Sequence, residues 1–215
     1  FSFDKATSSS EISYGKIFPD ESNETTHYSI IDPEGNAVAV TTTLNAGYGS
    51  KVYVEKGGFF LNNEMDDFSS KPGTPNMFGL IGSEANSILP EKRMLSSMTP
   101  TIIEKNGQVS MILGTPGGST IITSVLQTIL NVYEFQMDIQ EAVNAPRFHH
   151  QWLPDEVRLE PENFDHLIPD LLDKGYFIKP EKELIGRVDA LYIDSKGLIQ
   201  AGADPRGDDF ASYLY

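Results

Sequence analysis

Thr25 and Thr26 stand where a polar, charged segment gives way to the apolar residues of a predicted β-strand. β-Branched residues are common in strands, so a threonine pair alone indicates no more than a strand. A threonine hydroxyl becomes an effective nucleophile only when a base lies beside it. At a chain N-terminus the residue supplies that base, since an α-amino group has a pKa near about 7.7–8.0. Either threonine would therefore carry its own base if it began a chain.

The glycine pair Gly117-Gly118 precedes a predicted helix. Exposed backbone N–H groups at a helix N-terminus favour negative charge. Such groups suit the oxyanion that forms during acyl transfer. A tight turn that needs the backbone freedom of glycine is the alternative. A phosphate-binding loop is disfavoured, because no Gly-Lys-Ser/Thr follows the pair.

Three further polar groups could contribute to a site: the run Thr41–Thr43, the acidic segment Glu64–Asp67 and the pair Ser96-Ser97. In a strand, alternation places Thr41 and Thr43 on one face. Carboxylates can hold an ammonium group, whereas a calcium loop of the EF-hand type would need a different spacing and a central glycine. Serine pairs by themselves are most often turn residues.

Composition limits the class of protein. With 215 residues, 39% hydrophobic and 22% charged, the chain can bury one sizeable core. Sixteen Lys and Arg against thirty-one Asp and Glu give a formal charge of −15, which argues against nucleic-acid or anionic-membrane binding. The absence of cysteine excludes disulfides, thiol catalysis and cysteine metal sites. No apolar run approaches about 18 residues, so no membrane-spanning helix is predicted.

The elements that must position these residues are β-rich in the first half of the chain. A turn at Asp32–Asn36 joins the first two predicted strands, and Asn106-Gly107 is a strong hairpin signal. The segment 71–79, rich in Pro, Gly and Asn, is predicted to be a loop. The predicted strands are 28–31, 37–44, 52–54, 58–61, 101–104 and 109–113.

Helices are predicted in the second half, before a closing hairpin over 188–193 and 198–201. A second helix over 138–144 ends before Pro146, and a third begins at an Asn163 N-cap and ends at Gly175. Strands, then helices, then strands predict an α+β fold with an antiparallel sheet packed against helices. The first helix opens at Gly118, and its predicted apolar face consists of Ile121, Ile122, Val125, Leu126, Ile129 and Leu130.

In their order and spacing these motifs resemble the C-terminal (small) subunit of the γ-glutamyltranspeptidases, which are N-terminal-nucleophile hydrolases. The resemblance covers nearly all of residues 13–215. It implies a four-layer αββα sandwich, with residues 1–24 as the tail of the large subunit and residues 25–215 as the catalytic small subunit. The motifs are Glu24-Thr25-Thr26-His27-Tyr28-Ser29, Thr41-Thr42-Thr43-Leu44-Asn45, Asn62-Asn63-Glu64-Met65-Asp66-Asp67-Phe68, Ser96-Ser97-Met98 and Thr115-Pro116-Gly117-Gly118-Ser119.

The same resemblance implies catalytic roles. The bond between Glu24 and Thr25 would be cut autocatalytically, which makes Thr25, and not Thr26, the nucleophile. The Thr43 hydroxyl would hydrogen-bond to Thr25 and orient it. The backbone N–H groups of Gly117 and Gly118 would form the oxyanion hole.

Substrate contacts are implied in the same way. Asn45, Glu64 and Asp67 match positions that hold a substrate α-ammonium group. Ser96 and Ser97 match serines that bind the α-carboxylate together with an arginine of the large subunit. The loop 71–79 would be a lid, with Phe78 where some members have tyrosine. A phenyl ring can exclude water but lacks the hydroxyl donor.

The implied function is γ-glutamyl acyl transfer from glutathione or a similar compound to water, amino acids or peptides, without a metal or organic cofactor. The expected partner is the large subunit of the same precursor, and the expected location is periplasmic or secreted. The histidine-containing segment 147–152 and the segment 204–206 are interpreted as structural. Two alternatives remain open: a cephalosporin-acylase-like or polyglutamate-cleaving enzyme on the same fold, and an inactive or truncated, secreted β-rich module that is not an enzyme.

Overall fold

The computed structural model of the chain describes residues 25–152, 154–161 and 164–213. Three predicted features lie outside the described residues: the tail 1–24, Glu24 of the cleavage bond, and Asn163 as a helix N-cap. In the part of the chain that the model describes, no helix has the length and apolar character needed to cross a membrane.

Mixed helix and sheet confirm the predicted α+β class. Short 3₁₀ turns lie at Glu64–Asp67, Glu84–Asn86 and Gly118–Thr120. The described strands are β1 Thr26–Ile31, β2 Ala37–Thr42, β3 Tyr53–Val54, β4 Phe59–Phe60, β5 Thr101–Lys105, β6 Gln108–Gly114, β7 Phe148–His149, β8 Arg158–Leu159, β9 Asp189–Ile193 and β10 Ile199–Gly202, and the α-helices are α1 Ile121–Tyr133, α2 Ile139–Asn144 and α3 Ile168–Asp173.

A four-stranded antiparallel sheet in the order β10-β9-β6-β5 forms the centre of the fold. Side chains alternate along β6. Met111 and Leu113 face α1 and α2 and join their apolar residues in the main core. Gly114 has the opposite parity and lies against His27 of β1, so this face of the sheet receives the β1–β2 hairpin. Hairpin, sheet and helices therefore form three successive layers.

The β1–β2 hairpin is antiparallel, with Thr26 opposite Thr42 and Ile31 opposite Ala37. One face packs on the central sheet. The other face is apolar and exposed: Tyr28, Ile30 and Val38 have 46%, 52% and 44% of their surface accessible. This outer face is an apolar surface of a kind that β-sheets normally cover with another layer.

Most predicted elements are present, and two predictions about them are wrong. β2 ends at Thr42, so Thr43 follows the strand instead of lying on it; Asn45 adopts φ +73°, which takes the chain out of the ladder. The third helix begins at Ile168, where Pro169 sits in the first turn.

The apolar face predicted for α1 is also only half buried. Ile121 and Val125 are in the core, together with the small polar residues Ser124 and Thr128. The exposed residues of the predicted face are Ile122, Leu126 and Leu130.

Two arginines and two carboxylates form a buried ionic network at the edge of the central sheet. Arg147 donates to Asp204 at 2.8 Å, and Arg206 donates to Glu160 through Nε and Nη2, both at 2.6 Å. Arg206 also pairs with Asp204 at 3.0 Å. Burial by itself raises the pKa of Asp204, but the Arg147 guanidinium and hydrogen bonds hold it below its ordinary value. The structural interpretation of Arg147 and of 204–206 is thereby confirmed.

We expect Asp204→Ala to destabilise the fold by about 3–5 kcal/mol, because it leaves two buried guanidinium groups without their shared carboxylate. Asp208→Ala is the control, since the Asp208 side chain is fully exposed and its pair with Arg187 spans 3.6 Å. Urea unfolding of both variants measures the difference. Equal stability of the two variants would contradict a structural role for the network.

Candidate active site

Thr25 and Thr43 meet at the open end of the hairpin. The register of β1 and β2 pairs Thr26 with Thr42, so its continuation brings Thr25 opposite Thr43. The Thr25 hydroxyl donates to Thr43 Oγ1 at 2.8 Å, and Thr25 is buried. Thr43 Oγ1 also accepts the Asn45 amide at 2.8 Å. The predicted nucleophile and its predicted orienting residue are therefore in contact.

His27 fixes this end of the hairpin from inside. It is buried; Nδ1 lies 2.7 Å from Thr41 Oγ1 on the opposite strand and Nε2 lies 3.0 Å from Ser29 Oγ. Burial lowers the pKa of His27 to about 4, so the ring is neutral at neutral pH. A Cβ atom at Gly114 would stand 2.3 Å from the ring, which explains the glycine there. Sequence reasoning missed His27, although it lies two residues from the predicted nucleophile.

Asn63 joins the loop after β2 to the acidic 3₁₀ turn. The Asn63 backbone carbonyl accepts from Asn45 Nδ2 at 3.2 Å, and its side-chain oxygen accepts from the Ala46 amide at 2.9 Å. Glu64, the next residue, begins the turn. Asn45 is thus bonded both to Thr43 and to Asn63, the residue before Glu64.

Glu64 and Asp67 form a pair of neighbouring carboxyl groups. Burial, reinforced by the Asp67 charge and a hydrogen bond to it, raises the pKa of Glu64 to about 7. Burial also raises the pKa of Asp67. Glu64 Oε1 is buried and accepts no hydrogen bond from the described residues. Two carboxyl groups so close suit a cation, which would offset their repulsion.

A cleft of about 520 Å³ lies between the loop 66–82 and the start of α1. Ile122, His149 and Trp152 line its far wall, so part of the histidine segment that was interpreted as structural also faces this cleft. His149 is held by Thr123 and Gln151, each at 2.8 Å. Of the predicted residues, Asp67, Phe78, Ser96 and Ser97 line the cleft, whereas Thr25, Thr43, Asn45, Glu64, Gly117 and Gly118 do not.

Asn86, which sequence reasoning missed, brings the two predicted substrate-binding segments together. Its side chain donates to the Asp67 carbonyl at 2.7 Å and accepts from the Leu95 amide at 3.0 Å, beside Ser96. Ser96 Oγ accepts from the Met98 amide at 3.1 Å, a local bond typical of a turn. The serines therefore share a cleft with Asp67, as the resemblance implied.

The predicted lid loop is ordered by its own hydrogen bonds. Asn76 Oδ1 accepts the amides of Phe78 and Leu80, both at 3.0 Å, and the Met77 amide donates to Asp66 at 3.1 Å. The Phe78 ring lies over Gly118, since a Cβ atom at position 118 would be 3.4 Å from it. The Phe78 ring thus contacts Gly118, and Phe78 also lines the cleft.

Gly117 and Gly118 stand at the start of the 3₁₀ turn that leads into α1. Their φ values of +133° and +53° are unfavourable for other residues. The first helical bond runs from the Thr120 amide to the Gly117 carbonyl at 2.9 Å. The helix therefore does not use the two glycine N–H groups, which suits them to an anion.

The chain matches the family model described as gamma-glutamyltranspeptidase over residues 3–214. It is 49% identical over 205 residues to the glutathione hydrolase proenzyme of Escherichia coli K12, covering 95% of this chain and 35% of that protein. It thus spans about a third of the length of that relative.

Solved structures agree. A gamma-glutamyltranspeptidase from Pseudomonas nitroreducens complexed with L-DON is 45% identical with a TM-score of 0.82, covering 88% of this chain and all of that one. The Helicobacter pylori gamma-glutamyltranspeptidase T380A mutant is 52% identical with a TM-score of 0.79, covering 85% of this chain and all of that chain.

We expect Glu64→Gln to stabilise the protein more at pH 8 than at pH 5. The folded state binds the Glu64 proton more tightly than the unfolded state, so the contribution of Glu64 to stability falls as pH rises from its ordinary pKa of 4.5 to about 7. Glutamine mimics the protonated form at every pH. Urea midpoints at both pH values measure the effect, with the exposed Glu84→Gln as control. A difference from wild type that does not change with pH would refute the raised pKa.

Proposed function

Because the chain belongs to the γ-glutamyltranspeptidase family, we propose that it carries the catalytic residues of a γ-glutamyl acyl transferase that also hydrolyses glutathione. The hydrogen bond between Thr25 and Thr43 is the observation that carries this proposal, since an orienting partner for a buried threonine hydroxyl supports Thr25 as the nucleophile. Family membership, the glycine pair and the carboxyl pair support it.

The chemistry needs only protein groups, substrate and water. After cleavage before residue 25, the free amine of Thr25 takes the proton of its own hydroxyl as Oγ1 attacks the γ-amide carbonyl. The N–H groups of Gly117 and Gly118 stabilise the oxyanion. The C–N bond breaks, the proton passes to the leaving amine, and a γ-glutamyl-threonine ester remains. Water then releases glutamate, or an amine of an amino acid or peptide takes the acyl group.

Substrate recognition rests on the carboxyl pair and the cleft. Asn45, Glu64 and Asp67 bind the α-ammonium of the γ-glutamyl group, and Ser96 and Ser97 bind its α-carboxylate. Burial raises the pKa values of both carboxyl groups, and a bound ammonium would favour their charged forms. The Phe78 ring excludes water from the glycine pair but supplies no hydroxyl.

The partner in this proposal is the large subunit of the same precursor, of which residues 1–24 are the tail. The exposed apolar face of the β1–β2 hairpin, formed by Tyr28, Ile30 and Val38, is the surface that it covers. Helices of the large subunit on this face would add a fourth layer to the three that the described residues form. The large subunit also supplies the arginine beside Ser96 and Ser97. A periplasmic or secreted location belongs to the same proposal.

We expect Thr25→Ala to abolish both maturation and turnover of the full precursor. Intact-mass analysis should show no chain that begins at residue 25, and glutathione turnover should fall by at least about 10³-fold. Thr26→Ala is the matched control, because Thr26 is exposed and should leave cleavage intact. In wild type and in this control the two products of cleavage should co-elute in size-exclusion chromatography. Cleavage of the Thr25→Ala precursor before residue 25 would contradict the assignment of Thr25 as the nucleophile.

We expect Asp67→Asn to raise KM for γ-glutamyl substrates by about 10- to 100-fold, since it removes a charged partner of the ammonium. Asp66→Asn is the control, as the Asp66 carboxylate already accepts the Met77 amide. Turnover of a γ-glutamyl and a glutaryl substrate distinguishes the acylase-like alternative. A glutaryl group has no α-ammonium, so unchanged γ-glutamyl kinetics in Asp67→Asn would favour that alternative.

A further inference from the structure

The two peptide groups that carry the Gly117 and Gly118 N–H groups are each held through their carbonyl oxygen. The Pro116 carbonyl accepts from the Thr115 hydroxyl at 2.6 Å. The Gly117 carbonyl accepts from the Thr120 hydroxyl at 2.8 Å and from the Thr120 amide at 2.9 Å. In a trans peptide the C=O and N–H bonds point in opposite directions. A hydroxyl that fixes the carbonyl therefore also aims the N–H on the other side.

Both threonine hydroxyls act away from water. Thr115 and Thr120 are 0% exposed, so solvent does not compete for their hydrogen bonds. A hydroxyl has one proton. That of Thr115 is committed to the Pro116 carbonyl, and that of Thr120 to the Gly117 carbonyl. Each peptide plane is thus held by a buried donor behind it, on the side opposite to its N–H.

The Thr115 hydroxyl is itself fixed by the loop before β9. The Arg187 amide donates to Thr115 Oγ1 at 2.7 Å, which occupies the acceptor side of the hydroxyl. On either side of Arg187, Ile185 and Val188 donate their amides to Glu160 at 2.8 Å and to Asp204 at 2.7 Å. The buried ionic network therefore holds the loop that locks Thr115.

Gly186 allows this loop to approach the glycine pair. Its φ is +65°, and a Cβ atom there would stand 2.7 Å from Ser124 Oγ and 3.0 Å from Thr115 Oγ1. A Cβ atom on Gly117 would lie 3.3 Å from the Gly186 Cα. The two backbones are in direct contact, which leaves the Gly117 peptide little room to rotate.

We propose that Thr115 and Thr120 are positioning residues that aim the two oxyanion donors through the carbonyl side of their peptide groups. This inference rests on the proposed function, because it concerns the oxyanion of that reaction. Pre-aimed donors favour the transition state without reorganising during the reaction. Loss of either hydroxyl should therefore lower kcat and leave ground-state binding of the glutamyl group unchanged.

The test uses the full precursor with Thr120→Val, which keeps the shape of the side chain and removes the hydroxyl. Loss of a whole oxyanion donor costs about 10²–10³ in kcat, so a donor that is present but misaimed should cost about 10- to 100-fold. The inhibition constant of L-glutamate reports ground-state binding and should stay within about threefold. Thr120→Ser restores the hydroxyl, so its kcat should return to within about threefold of the wild-type kcat.

Thr128→Val is the matched control. Thr128 is also a 0% exposed threonine of α1, and its hydroxyl donates to the Ser124 carbonyl at 3.0 Å, away from the glycine pair. The Thr128→Val variant should be less stable than wild type but should keep the wild-type kcat. Thr115→Val tests the second peptide independently and should lower kcat like Thr120→Val, even if one of these two variants fails to fold. Intact-mass analysis verifies, for each variant, that the chain compared in the kinetic assay begins at residue 25.

The outcomes separate the two proposals. An inactive, uncut wild-type precursor would overturn the function, and with it this inference. An active wild type with unchanged kcat in Thr115→Val or Thr120→Val would overturn only the positioning roles. Equal losses in Thr120→Ser and Thr120→Val, or in Thr128→Val, would show that packing is responsible and would also overturn them. Loss of kcat confined to the two valine variants at 115 and 120 would support the inference.

Discussion

The buried ionic network is the constraint on which the proposed catalytic site depends. Charges as deeply buried as Arg147 and Asp204 are tolerated only when paired and hydrogen-bonded. The carboxylates of the network also accept hydrogen bonds from the backbone amides of Ile185 and Val188, so the network holds the loop between them. The loop between these residues then contacts Gly117. The ion pairs that the fold needs for its buried charges thus also fix the loop that contacts the backbone of the candidate oxyanion hole.

The position of Thr25, the proposed nucleophile, depends on a different constraint, the register of the β1–β2 hairpin. A shift by one residue would turn every side chain to the opposite face. Thr25 would then lose Thr43, and His27 would lose both Thr41 and its place against Gly114. The neutral, buried His27 makes such a shift costly, because its two ring nitrogens require partners. The register of the hairpin therefore also determines the proposed catalytic geometry of Thr25 and Thr43.

Local patterns predicted much of this molecule. Asn106-Gly107 fixes the β5–β6 turn, and both residues adopt positive φ, as that turn requires. The resemblance grouped Thr25 with Thr43 and Glu64 with Asp67 correctly. Burial of α1 was not predictable from periodicity, because Ile122 and Leu126 match an apolar face as well as Val125 does. Long-range contacts such as that of Thr115 with Arg187 have no local signature and became visible only in the fold.

Two features of the candidate site are unfavourable in the folded chain by itself: a buried carboxyl pair and two glycine amides outside the helix bonding pattern. Burial raises the pKa values of Glu64 and Asp67, so their charged forms are disfavoured in the folded chain. Gly117 and Gly118 are held with N–H groups outside the helix bonding pattern. A buried carboxyl pair favours a cation, and amides that lie outside the helix bonding pattern favour an anion. In the proposed reaction a γ-glutamyl substrate offers both, first the α-ammonium and then the oxyanion, so the proposed binding and reaction supply partners for both sets of groups.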